Sequence, residues 1–94
     1  MTQELKVVID VRKVESAQAL HQALKSGLQL PEYTGLNFDA LWEVVSERGL
    51  PRQLVLDGGL KLVNTLPREL RLLAEVVDDY TAEHLRSACV LVLQ

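Results

Sequence analysis

Cysteine is nearly missing from this 94-residue chain, and the one present, Cys89, excludes an internal disulfide and any multi-cysteine metal site. Aromatic residues make up only 4% of the sequence, so a core has to be built mainly from Leu and Val. Each of the four aromatic side chains then stands out as a candidate for something other than filling. No apolar run approaches membrane-spanning length. The start, Met-Thr-Gln-Glu-Leu-Lys, lacks the basic and then apolar regions of a leader peptide, so a reducing cytoplasm is the expected location.

Positive charge is also missing, but only locally. Between Lys25 and Arg48 there is no Lys or Arg, while Glu32, Asp39, Glu43 and Glu47 fall there. Between Arg71 and Arg86 the same holds, with Glu75, Asp78, Asp79 and Glu83. Two acid-only segments can project a negative field from one surface. Such a field repels nucleic acid and suits a basic protein partner. The plainer account is a pair of solvated helix faces that keep the chain soluble.

What is present fits one globular domain over residues 1–94, since 48% of residues are apolar and 24% charged. Leu5 to Val11 is rich in β-branched residues and reads as a strand. Ser16 can cap a helix over Ala17 to Ser26, striped by Ala17, Leu20 and Leu24, with Gly27 placed to end it in a left-handed turn. Asn37 can cap a second helix that buries Phe38, Leu41 and Val45 and ends near Gly49. Gln53 to Leu56 reads as a second strand, and Leu60 to Asn64 as a short helix or irregular turn. Pro67 fits the first turn of a longer helix striped by Leu70, Leu73, Val77 and Tyr80, which ends between Tyr80 and Leu85. Ala88 to Leu93 is apolar throughout, the pattern of a strand buried on both faces. The order predicts an α/β fold: a three-stranded parallel sheet packed by three or four helices.

Leu30 to Glu43 concentrates turn residues, acids and aromatics. Pro31 and Gly35 shape a loop, Asp39 and Glu43 share a helix face, and Trp42 adjoins both on the helical wheel. Tyr33 has no evident packing role. Aromatics beside acids at a loop and helix start suit a protein interface. Read as enzyme chemistry, Asp39 and Glu43 lack a third group to push their pKa values apart. His21 and His84 have no ligand at metal spacing, Cys89 reads as an inert buried thiol, and Gly58-Gly59 as a turn. No metal and no cofactor is expected.

Leu20-His21-Gln22-Ala23-Leu24-Lys25, followed by Leu30-Pro31-Glu32-Tyr33-Thr34-Gly35-Leu36-Asn37-Phe38-Asp39-Ala40-Leu41-Trp42, resembles the barstar family, small intracellular inhibitors of the secreted ribonuclease barnase. After Gly49 only the order of a Leu-Val-Leu-acid strand, an acidic helix and a final apolar strand agrees. The resemblance implies inhibition rather than catalysis, with the second helix and its preceding loop entering the nuclease active site. It implies that Tyr33, Gly35, Asn37, Asp39, Trp42 and Glu43 contact the partner, and Asp79 and Glu83 from the later helix. The implied partner is a basic ribonuclease of the barnase type or a related toxin, bound by an inhibitor that is monomeric when free. The chain also departs from the family pattern. Glu43 replaces a dominant aspartate, Thr34 a second tyrosine, and Glu47-Arg48 occupy the region of a further interface tryptophan. Asp79 and Glu83 match only through a small insertion. A second reading keeps the barstar-like scaffold as a regulatory interaction module with a non-nuclease partner.

Overall fold

Three short apolar segments pair side by side and a layer of helices closes over one face of the resulting sheet. A computed structural model describes residues 4–94; residues 1–3, part of the start read above for a leader, lie outside them. The strands are β1 (Lys6–Asp10), β2 (Gln53–Asp57) and β3 (Val90–Leu93), all parallel, in the order β1-β2-β3. The helices are α1 (Ala17–Gly27), α2 (Phe38–Arg48), the single-turn α3 (Leu62–Thr65) and α4 (Pro67–Glu83). Short 3-10 turns at Gly59–Lys61 and Leu85–Ser87 precede α3 and follow α4. The α/β class and the parallel three-stranded sheet are those the sequence predicts.

Strand register decides which side chains meet the helices. Val7, Leu54 and Leu91 align across the sheet, as do Ile9, Leu56 and Leu93. These six join one apolar cluster with Leu20 and Leu24 of α1, Leu41 and Val45 of α2, Leu62 of α3, and Leu73 and Val77 of α4. Full burial of each such Leu or Val stabilises by roughly 1.5–3 kcal/mol against leaving it exposed. The other face carries Val8, Val55 and Val92 in register and lies outside that cluster.

The continuous apolar run at the end of the chain therefore does not mean burial on both faces. Val90 is 58% exposed, and β3 is an edge strand with one covered face. The buried strand centre is that of β2, whose Leu54, Val55 and Leu56 are at most 1% exposed between an exposed Gln53 and a half-buried Asp57. It lies between two neighbours, so both its edges are paired. Thr81 Oγ1 ties the end of α4 to the start of β3, accepting from Cys89 N at 3.0 Å and donating to Cys89 O at 3.1 Å. Burial pushes the Cys89 thiol up to about 11, which keeps it protonated and unreactive at neutral pH.

Helix starts follow side-chain chemistry. Ser16 Oγ accepts from Ala19 N at 3.1 Å to open α1, and Pro67 opens α4 where its missing N–H has no cost. At the C-termini of β1 and β2 the aligned Asp10 and Asp57 would repel each other. Arg12 lies between them, 3.0 Å from Asp10 through both Nε and Nη2 and 3.9 Å from Asp57 Oδ2. The Arg12 side-chain hydrogen bonds hold the Asp10 carboxyl well below the usual carboxylate range. Lys61 Nζ also donates to Arg12 O, so the β1 and β2 ends and the 3-10 turn are joined.

Gly27 does not supply the left-handed turn that ends α1. That conformation falls on Gln29, with φ of 54°. Gly27 is the last helical residue, and a Cβ on it would lie 2.6 Å from Ile9 Cγ1 and 2.8 Å from Ile9 Cδ1. Its small size lets α1 sit against β1. Gly27→Ala is expected to destabilise the fold by about 1–3 kcal/mol despite alanine's better helix propensity, because Ile9 is buried and cannot yield. Urea denaturation of the two proteins checks this, and equal midpoints would contradict the close-approach role.

Candidate functional site

The loop between α1 and α2 is held by its own backbone. Leu28 N donates to Leu24 O, Leu30 N to Lys25 O and Thr34 N to Pro31 O, at 2.9 to 3.0 Å. Lys25 reaches across with Nζ 2.7 Å from Glu32 O. That bond uses the carbonyl of Glu32, so its carboxylate is left to solvent. Leu30 packs on the core from one end, and Tyr33 stands at the tip, 84% exposed. The ordered loop thus keeps this large ring in water.

Asn37 starts α2 by accepting from Ala40 N at 2.8 Å through Oδ1. Gly49 ends it with φ of 89° and its N–H on Val45 O at 2.8 Å. Between these caps Leu41 and Val45 are buried, and Phe38 packs on the core as expected. Their burial turns Asp39 and Glu43 outward, and also Glu47, one further step of four. Residues at i, i+4 and i+8 form one stripe, so the pair read from the sequence becomes a row of three carboxylates. Trp42 is half-buried against the core, dividing its ring between packing and surface. Gly35 is exposed and adopts no positive φ; a Cβ on it would meet Asn37 Nδ2 at 3.2 Å, so its smallness leaves room for the capping amide.

The structure groups only some of the residues picked from sequence. Tyr33 and Glu43 line one groove of about 800 Å³, together with Glu47 from α2 and Tyr80 from α4. Asp79 and Glu83 do not line it; they are exposed on α4, which packs against α2. Glu47 and Tyr80 were not among the sequence candidates. The spacing of Glu47 from Glu43 held the signal for the first. Tyr80 carried none, because its place in the apolar stripe of α4 hides its edge on the groove. Among the described residues, no group of His, Cys, Asp and Glu is arranged to hold a metal ion, and no helix is long and apolar enough to cross a membrane.

Charge compensation separates this region from the rest. All eight carboxylates of the two acid-only segments are exposed, and among the described residues none forms an ion pair within 4 Å. The acids that do, Asp10, Asp57 and Glu69, lie outside those segments. Beneath the site, two polar groups are buried. The His21 ring, 7% exposed, meets Phe38 edge to face with centroids 4.3 Å apart. Burial pushes the His21 pKa below the ordinary histidine value, with the Glu69 carboxylate on α4 opposing. Thr34 is 6% exposed, and its Oγ1 has no hydrogen-bond partner among the described residues.

Comparison with known proteins agrees with the motif over a greater length. The family model described as Barstar (barnase inhibitor) matches residues 5–94. A Bacillus subtilis (strain 168) protein named "Putative ribonuclease inhibitor YrdF" is 44% identical over 52 residues, which is 54% of this chain and 57% of that protein. The match thus spans little more than half of each.

The two buried polar groups give opposite expectations. Neutral His21 contributes stability that is complete above the ordinary histidine pKa and is lost as pH falls through its lowered folded value. Unfolding free energy should therefore drop between pH 7 and 5 more steeply in the native chain than in His21→Gln; parallel profiles would contradict it. Thr34→Val removes an unpaired buried hydroxyl and should stabilise by about 1 kcal/mol in urea denaturation at pH 7. A clear loss of stability would show that the hydroxyl has a partner in solution.

Proposed function

The chain belongs to the barstar family, and from that premise we propose that it is a protein inhibitor of a ribonuclease, acting in the cytoplasm of the cell that makes the enzyme. The inhibitor plugs the active site of a basic ribonuclease of the barnase type or a related toxin, one molecule to one, and is monomeric when free. Tyr33 anchors from the loop, Asp39 and Glu43 enter the site from α2, and Asp79 and Glu83 reach the rim from α4. Gly35 and Asn37 shape the loop and cap that present them, and the exposed edge of Trp42 completes the contact.

The observation that carries this reading is the uncompensated charge of the two acid-only segments. A ribonuclease must bind RNA phosphates with Lys, Arg or His, so its cleft is basic when empty. Carboxylates without internal partners can take those cations in place of phosphate. The long-range field speeds encounter and the ordered loop lowers the entropy lost on docking. Enzyme catalysis by Asp39 and Glu43 has no comparable support. They form two members of a stripe of three similar exposed acids, with no group that distinguishes an acid from a base.

Titration into barnase and other guanine-preferring ribonucleases, with RNA cleavage as readout, tests the proposal. Activity of a cognate enzyme should fall to zero at one equivalent and recover as salt is raised. Asp39→Ala and Glu43→Ala should each weaken inhibition by about ten-fold or more, on the order of 1.4 kcal/mol. Unchanged potency of both variants would reject this interface, and lack of inhibition of any such enzyme would reject the function.

A further inference from the structure

Three helices begin around one open pocket of about 470 Å³. Ala17 and Gln18 of α1, Asn37 and Phe38 at the start of α2, and Arg68 and Glu69 of α4 border it. It shares no residue with the groove that holds Tyr33 and Glu43. The first N–H groups of a helix have no acceptor within it. Ser16 and Asn37 each satisfy one, at Ala19 and Ala40. Among the described residues, the N–H groups of Ala17, Gln18, Phe38, Arg68 and Glu69 find no acceptor outside their own helices. Each helix start also carries roughly half a positive charge.

A second feature points into the same pocket. The His21 ring lines it and is 7% exposed. Its nitrogens have no hydrogen-bond partner among the described residues, yet, unlike Thr34 Oγ1, they are not closed off from solvent. A buried imidazole without a partner is costly, and an acceptor in the pocket would meet that need. The remaining charged groups of the lining offset each other, since Arg68 Nη1 lies 3.8 Å from Glu69 Oε1. Leu36, Phe38 and Leu72 make the rest of the wall apolar.

We propose that this pocket binds a small oxyanion carried on an apolar body, such as an aromatic carboxylate, sulfonate or phosphate ester, with the head group at the three helix starts and His21 and the body against Leu36, Phe38 and Leu72. The site does not rest on the inhibitor reading. Neutral His21 supplies one N–H donor, and protonation adds a second donor and a full charge. Burial holds His21 neutral, so a bound anion works against that shift and binding takes up a proton as pH falls. His21, Arg68 and Glu69 are the titratable and charged side chains that line the pocket, and Glu69 is the one that opposes an anion.

Backbone amide NMR of the full chain tests the site. The probe is benzenesulfonate, whose charge does not change with pH, set against benzyl alcohol and benzylammonium. Benzenesulfonate is expected to shift the amides of Ala17, Gln18, Phe38, Arg68 and Glu69 and to bind about ten-fold more tightly than benzyl alcohol. Its affinity should rise several-fold from pH 7 to 5 in the native chain and stay flat in His21→Gln. Glu69→Gln should bind it several-fold more tightly than the native chain. Benzylammonium binding as well as benzenesulfonate, shifts centred on other residues, a native affinity that does not change with pH, or a Glu69→Gln chain that binds no better would each overturn the proposal.

Discussion

Burial of Leu41 and Val45 is the constraint on which the presented surface depends. With those two side chains in the core and Asn37 capping the first turn, α2 has one orientation, and Asp39, Glu43 and Glu47 face water. The helix cannot rotate to hide its charge without exposing its apolar stripe. The cost of rotation would be a few kcal/mol for each side chain moved into water. These acids stay in water, and among the described residues none of them forms an internal ion pair. The nearby lysine, Lys25, is engaged with the carbonyl of Glu32. Holding charge unpaired in the free state sacrifices little stability, since exposed ion pairs contribute little, and leaves the charge available to a partner.

The second requirement is an ordered loop. Short backbone bonds through residues 24–34 and the Lys25 tether mean that Tyr33 is displayed rather than searching. Order before binding reduces the entropy lost on association. The unpaired Thr34 hydroxyl beneath the tip works the other way, as a local cost that the loop carries.

Much of the fold was legible in the sequence because local chemistry and burial agree. Ser16, Asn37 and Pro67 each sit at a helix start where their side chains demand it. The apolar stripes of α1, α2 and α4 fall on the faces that enter the core. Misreadings arose where tertiary neighbours decide. Gly27 looked like a turn residue, yet its smallness answers to Ile9, eighteen positions earlier in the chain. The run ending in Leu93 looked doubly buried, but strand order puts it at an edge, and order cannot be read from hydrophobicity. At the site, the acids and Tyr33 were visible as exposed chemistry, while the groove was not. Its floor is made from Leu28, Leu50 and Tyr80, which meet only after α2 and α4 pack together.

We propose that the loop, α2 and the C-terminal end of α4 meet the partner, while the second face of the sheet does not. Amide hydrogen exchange of the full chain, free and mixed one-to-one with a ribonuclease that it inhibits, reads that surface most directly. Exchange should slow at residues 30–47 and around Asp79 and Glu83, with Val8 and Val90 unchanged. Protection centred on Val8 and Val90, with residues 30–47 unaffected, would contradict it.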